Sequence, residues 1–95
     1  MGRKKHSKTR IVVQTEEDLP SPLFLRGEGV SDLSWEKGVE LKHEKSDEWV
    51  FETDELFATG SFKVLINDQT YELGESHPLY PGASIRVNPK FPDSN

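Results

Sequence analysis

The residues with the most chemistry to offer lie in the stretch Ser-Phe-Lys-Val-Leu-Ile-Asn-Asp-Gln-Thr-Tyr-Glu-Leu-Gly-Glu-Ser-His-Pro, residues 61–78. Phe62, Val64 and Ile66 alternate with Lys63 and Leu65, the period of a strand with one buried face, which turns Lys63 outward. Asn67-Asp68 supplies two residues that tolerate positive φ, as a tight hairpin turn requires. The chain is expected to return as a partner strand over residues 69–73. There Tyr71 sits among Thr70, Glu72, Gly74 and Glu75, an aromatic ring in polar company. Trp35 is a second ring of this kind, in the polar segment Asp32-Leu33-Ser34-Trp35-Glu36-Lys37-Gly38, which has no strand alternation. Aromatics beside a lysine and acidic loops are what a sugar-binding surface needs. The flat ring stacks on the apolar C–H face of a pyranose, and charged groups hydrogen-bond its rim of hydroxyls.

Each of these residues also has a purely structural use. Trp35 can plug the edge of a core, and Tyr71 can serve as a half-buried cross-strand partner. Lys63 can be a solvated strand face, and turn chemistry alone explains Asn67-Asp68. Trp49 opens the strand Trp49-Val50-Phe51 and reads as core. His43 and His77 read as surface or hydrogen-bonded loop histidines.

Other chemistries find no foothold. His6, His43 and His77 do not stand at metal-ligand spacing, and there is no cysteine to complete a zinc site or a disulfide framework. Gly27-Glu28-Gly29 lacks the third glycine and the following helix of a phosphate-binding loop. None of the nine serines has a nucleophile-elbow context. A domain of 95 residues has little room to enclose a substrate and shift a carboxyl by burial. No catalytic residue, metal or cofactor is therefore expected.

The elements that must position the two rings are short strands. Ile11-Val12-Val13 opens the first, which dissolves in Glu16-Glu17-Asp18, and Pro20-Ser21-Pro22 fixes an extended connection. Residues 23–26 form the second and a loop over 30–38 carries Trp35. Residues 39–43 form the third and residues 49–51 the fourth. The segment 54–60 connects onward with Leu56 or Phe57 tucked inward. After the hairpin, Tyr80-Pro81-Gly82 reads as a turn and Ile85 and Val87 as a last strand. About seven strands with regular turn signals, and no helical period with caps, predict an all-β chain folded as an immunoglobulin-like antiparallel β-sandwich. A small barrel is the other solution.

The net charge of −5 hides an asymmetry. Residues 1–10 hold five bases and no acid, while the remaining 85 residues hold all 17 acids against 7 bases, a net of −10. The acidic body is a poor nucleic-acid surface, and nucleic acid is not expected as a partner. The basic segment 1–10 reads as a flexible arm, residues 11–91 as the folded domain and residues 92–95 as a tail. No apolar run approaches the roughly 20 residues of a membrane span, and no signal-peptide core is present. With no cysteine, a cytoplasmic location and no membrane association are expected.

The order of features carries a resemblance. Leu23-Phe24-Leu25-Arg26-Gly27, Leu33-Ser34-Trp35-Glu36-Lys37-Gly38-Val39-Glu40-Leu41, Trp49-Val50-Phe51-Glu52, Phe62-Lys63-Val64-Leu65-Ile66 and Tyr71-Glu72-Leu73-Gly74-Glu75-Ser76-His77 follow one another in the chain. Together they resemble the starch-binding domains of carbohydrate-binding module family 20 and of the glycogen-binding family 48, over about residues 22–88. The resemblance implies an immunoglobulin-like sandwich and non-catalytic binding of α-1,4-glucan. It implies that Trp35 and Tyr71 are the two stacking aromatics, that Lys63 is the hydroxyl-binding lysine, and that Glu72 and Ser76 are the accompanying polar groups. It assigns Trp49 to packing. Tyr71 stands where such domains usually have tryptophan and Ser76 near where they have asparagine, which implies weaker binding. Such modules usually accompany an amylase, a glucan-modifying enzyme or a kinase subunit, so a glucan-modifying enzyme is a further expected partner. The alternative is a protein-interaction sandwich that has lost sugar binding, in which Trp35 and Tyr71 are buried or far apart.

Overall fold

The structure, a computed structural model, describes residues 8–15 and 22–92. The described residues are all-β, with nine strands in two sheets. The first sheet contains β4 (Lys42–Lys45), β5 (Glu48–Thr53), β1 (Thr9–Gln14) and β9 (Ser84–Val87), in that order. The second contains β3 (Val39–Glu40), β2 (Leu23–Glu28), β6 (Gly60–Ile66) and β7 (Thr70–Tyr71), with β8 (His77–Leu79) also on β6. Pairing is antiparallel throughout except for β1 and β9, which run parallel.

Alternation decides which side chains meet between the sheets. Ile11 and Val13 of β1 and Trp49 and Phe51 of β5 face Leu23 and Leu25 of β2 and Phe62 and Val64 of β6 in one apolar cluster. Each such side chain taken fully out of water contributes about 1.5–3 kcal/mol, so this cluster is the main force holding the two sheets together. Trp49 is buried there, with its ring stacked on His43 at 3.7 Å between centroids. Its indole N–H has no hydrogen-bond partner among the described residues.

The sandwich expected from the strand pattern is present, with two more strands than the pattern suggested. The stretch 39–43 does not stay in one sheet. Leu41, itself buried, donates its N–H to Leu23 and marks the crossing from β3 in the second sheet to β4 in the first. The return of the hairpin is cut to β7, and a further strand, β8, forms at His77, which was expected in a loop. In the connection over 54–60 it is Phe57 that packs on the core, while Leu56 is 70% exposed. The turn at Tyr80-Pro81-Gly82 forms as expected, with Gly82 at φ 79° and Ala83 N–H bonded to the Tyr80 carbonyl.

Thr9 and Arg10, placed in the arm by charge alone, already belong to β1, and Arg10 pairs with Glu52 at 2.7 Å. The rest of the arm (1–7), the acidic run and most of the proline connection (16–21) and the end of the tail (93–95) lie outside the described residues. Among the described residues no helix is long and apolar enough to cross a membrane.

Candidate functional site

The outward face of the second sheet gathers the residues singled out above. In β2 the core takes Leu23 and Leu25, which leaves Phe24, Arg26 and Glu28 outward. In β6 it takes Phe62 and Val64, which leaves Lys63 and Leu65 outward. Register sets Arg26 opposite Lys63, and Leu65 between Phe24 and Tyr71. Leu65 is fully buried although it faces away from the core, so this face is covered rather than bare.

Part of the cover is the loop over 30–38. Val30 and Leu33 sink into the core and anchor it. At its far end Gly38 lies against Phe24 and the Asp68 carboxylate, and a Cβ built there would meet Asp68 Oδ1 at 2.3 Å and Phe24 Cβ at 3.0 Å. Only a glycine allows that approach. Trp35 is half-buried in this loop. Its indole N–H donates to Glu28 Oε1 at 3.0 Å, so the polar atom of the ring is satisfied. What the ring has left to offer is its π face.

The hairpin turn brings the other side. Asn67 and Asp68 both adopt φ 56°, and Gln69 N–H closes the turn on the Ile66 carbonyl, as the dipeptide predicts. Asp68 does more than turn the chain. Its Oδ1 accepts the Arg26 Nε–H at 2.9 Å and its Oδ2 the Gly38 N–H at 3.2 Å. The Arg26 guanidinium, the Gly38 N–H and nearby Lys37 hold the Asp68 carboxyl below its usual range, against a smaller opposing effect of desolvation. Arg26 is held above its usual value in return, first by the hydrogen bond to Asp68.

Arg26 is the residue that sequence reasoning missed. Its Nη1 donates to the Trp35 carbonyl at 3.1 Å and reaches the Tyr71 hydroxyl at 3.4 Å, and its Nη2 donates to the Asp68 carbonyl at 3.2 Å. The Tyr71 ring, in a residue 39% exposed, has the Arg26 guanidinium 5.8 Å and the Lys63 ammonium 5.6 Å from its centroid. Both cations lie within cation–π range. Trp35, Tyr71 and Lys63 thus share one face: Arg26 joins the Trp35 carbonyl to the Tyr71 hydroxyl, and Lys63 lies beside the Tyr71 ring. The alternation of Arg26 with Leu23 and Leu25 was a legible sign that it points outward.

One expected site residue is placed differently. Glu72, expected to face glucan hydroxyls, is 3% exposed and turned into the sheet. Because β2 occupies one edge of β6, β7 and β8 share the other, and the ladder is interrupted between them at Val64. Glu72 fills the gap. Its N–H donates to the Val64 carbonyl at 2.9 Å, and its carboxylate accepts the Val64 N–H at 2.8 Å. The same carboxylate lies 2.9 and 3.0 Å from His77 Nε2. Ser76 is exposed in the segment between β7 and β8, beside His77. Lys63 also donates to the Gly74 carbonyl at 2.6 Å, tying that segment to β6.

Among the described residues no group of three or more His, Asp and Glu side chains converges to hold a metal ion. The chain matches no known protein-family model, no curated protein and no solved structure.

Proposed function

We propose that this chain is a non-catalytic carbohydrate-binding module, of the immunoglobulin-like sandwich kind, that holds an α-1,4-glucan of starch or glycogen type. The ligand lies on the outward face of the second sheet. Trp35 and Tyr71 stack on sugar rings, and Lys63 and the Tyr71 hydroxyl bond the sugar hydroxyls. The observation that supports this reading is the placement of a half-buried Trp35 and a partly exposed Tyr71 on one face, both bonded to Arg26. A sandwich that had lost its sugar site would have no need to keep both rings at the surface together. Tyr71 offers a smaller face than an indole, so affinity is modest. A glucan-modifying enzyme is the natural partner of such a tether, which brings it to its polymer.

Calorimetry of the full chain with glycogen and with β-cyclodextrin tests the proposal. Saturable heat that disappears in Trp35→Ala is expected. Absence of binding by the native chain, or undiminished binding by Trp35→Ala, would refute it.

A further inference from the structure

Arg26 and Lys63 stand directly opposite each other on β2 and β6. Like charges at opposed positions disfavour a sheet pair. The fold tolerates this pair because the guanidinium is spent elsewhere. Arg26 Nε and Nη2 grip the side chain and backbone of Asp68 in the hairpin turn, and Nη1 reaches the Trp35 carbonyl and the Tyr71 hydroxyl. One side chain therefore joins two stretches distant in sequence: the 30–38 loop, and the turn at 67–69 with β7 directly after it.

The loop is anchored in the core at Val30 and Leu33 and takes the Gly27 N–H of β2 on its Ser34 carbonyl, and β7 is only two residues long. Asp68 completes the joint by also taking the N–H of Gly38, at the end of the Trp35 loop. A lysine at position 26 could supply the charge but not the fork, because its ammonium cannot bond a carboxylate, a carbonyl and a phenol in one plane.

We propose that Arg26 is a positioning residue that sets Trp35 and Tyr71 relative to each other before the ligand arrives. It contributes affinity by pre-ordering the two rings rather than by touching sugar. The affinity part rests on the reading of this face as a glucan site; the positioning part does not.

The test uses the full chain with Arg26→Lys and, as a second perturbation of the same joint, Asp68→Asn. In ligand-free ¹H–¹⁵N spectra, the Trp35 indole N–H (assigned with Trp35→Phe) and the amides of residues 35–38 and 70–71 should shift or broaden. The amides of Ile11, Val13 and Phe51 in the first sheet should stay in place. β-Cyclodextrin affinity should fall about tenfold in Arg26→Lys, the scale expected when preorganisation is lost. Unchanged ligand-free signals at 35–38 and 70–71 overturn the proposal. If those signals are unchanged while affinity falls, Arg26 contacts sugar directly, which overturns it too. If Arg26→Lys fails to fold, Asp68→Asn decides by the same signals. If the native chain binds no β-cyclodextrin, the glucan reading fails by itself, and the ligand-free spectra still decide whether Arg26 positions the rings.

Discussion

Replacing Glu72 by alanine separates a structural carboxylate from a ligand-binding one. Glu72 is 3% exposed, and its carboxylate accepts the N–H of Val64, a residue with no exposed surface. Truncation leaves that N–H buried and unpaired, at a cost of about 1–3 kcal/mol. The loss of the His77 contact adds little, because the His77 side chain is 30% exposed and can turn to water. A net loss of about 2 kcal/mol lowers the melting midpoint of a domain this size by roughly 8–16 °C. Glu72→Gln keeps a carbonyl oxygen for Val64 and can still donate to His77, so its cost stays within about 1 kcal/mol. Because the side chain faces inward, Glu72→Gln should leave glucan affinity unchanged. Thermal and urea unfolding followed by circular dichroism read the first effect, and calorimetry with β-cyclodextrin reads the second. The reasoning is refuted if Glu72→Ala unfolds within about 0.5 kcal/mol of the native chain, the range of an ordinary surface substitution. It is refuted equally if Glu72→Gln weakens binding as much as Trp35→Ala.

Two further predictions concern the joint between the loop and the hairpin turn. Gly38→Ala places a Cβ where Asp68 Oδ1 and Phe24 Cβ already lie, at 2.3 and 3.0 Å. It should displace the Trp35 loop and reduce β-cyclodextrin affinity in calorimetry more than it reduces the melting midpoint. Folding favours the charged form of Asp68, whose folded pKa lies below the ordinary 3.8. Its stabilisation is therefore complete above that value and is lost as pH falls through the lower folded value. Asp68→Asn should remove stability at neutral pH and flatten the acid limb of the stability profile, which urea titrations from pH 7 to pH 2 would show.

Local rules carried much of this fold. Leu23 and Leu25, Phe62 and Val64, and Trp49 and Phe51 announce their inward faces by alternation, and Asn67-Asp68 announces its turn by the only backbone it suits. Features that depend on distant partners were not legible. Val39, Leu41 and His43 alternate as one strand would, and only the bond from Leu41 to Leu23 shows that the stretch passes between sheets. The parallel pairing of β1 with β9 joins the two ends of the domain and leaves no local mark. In the candidate site, Trp35, Tyr71 and Lys63 were visible as residue types in unusual company. Arg26 was not, because its partners Trp35, Asp68 and Tyr71 lie 9, 42 and 45 residues away. Glu72 was misplaced for a related reason. A glutamate in a polar stretch looks solvent-facing until β7 and β8 are seen to share one edge of β6 and leave a donor between them.

Trp35 and Tyr71 are proposed to form one α-glucan surface on the second sheet. Titrating the ¹⁵N-labelled chain with β-cyclodextrin and following every amide and indole signal tests it most directly. Saturable shifts centred on the Trp35 indole, Tyr71 and Lys63, with the Trp49 indole and the first sheet unmoved, are the predicted result. No saturable shift at millimolar ligand, or shifts centred away from Trp35 and Tyr71, would contradict the account.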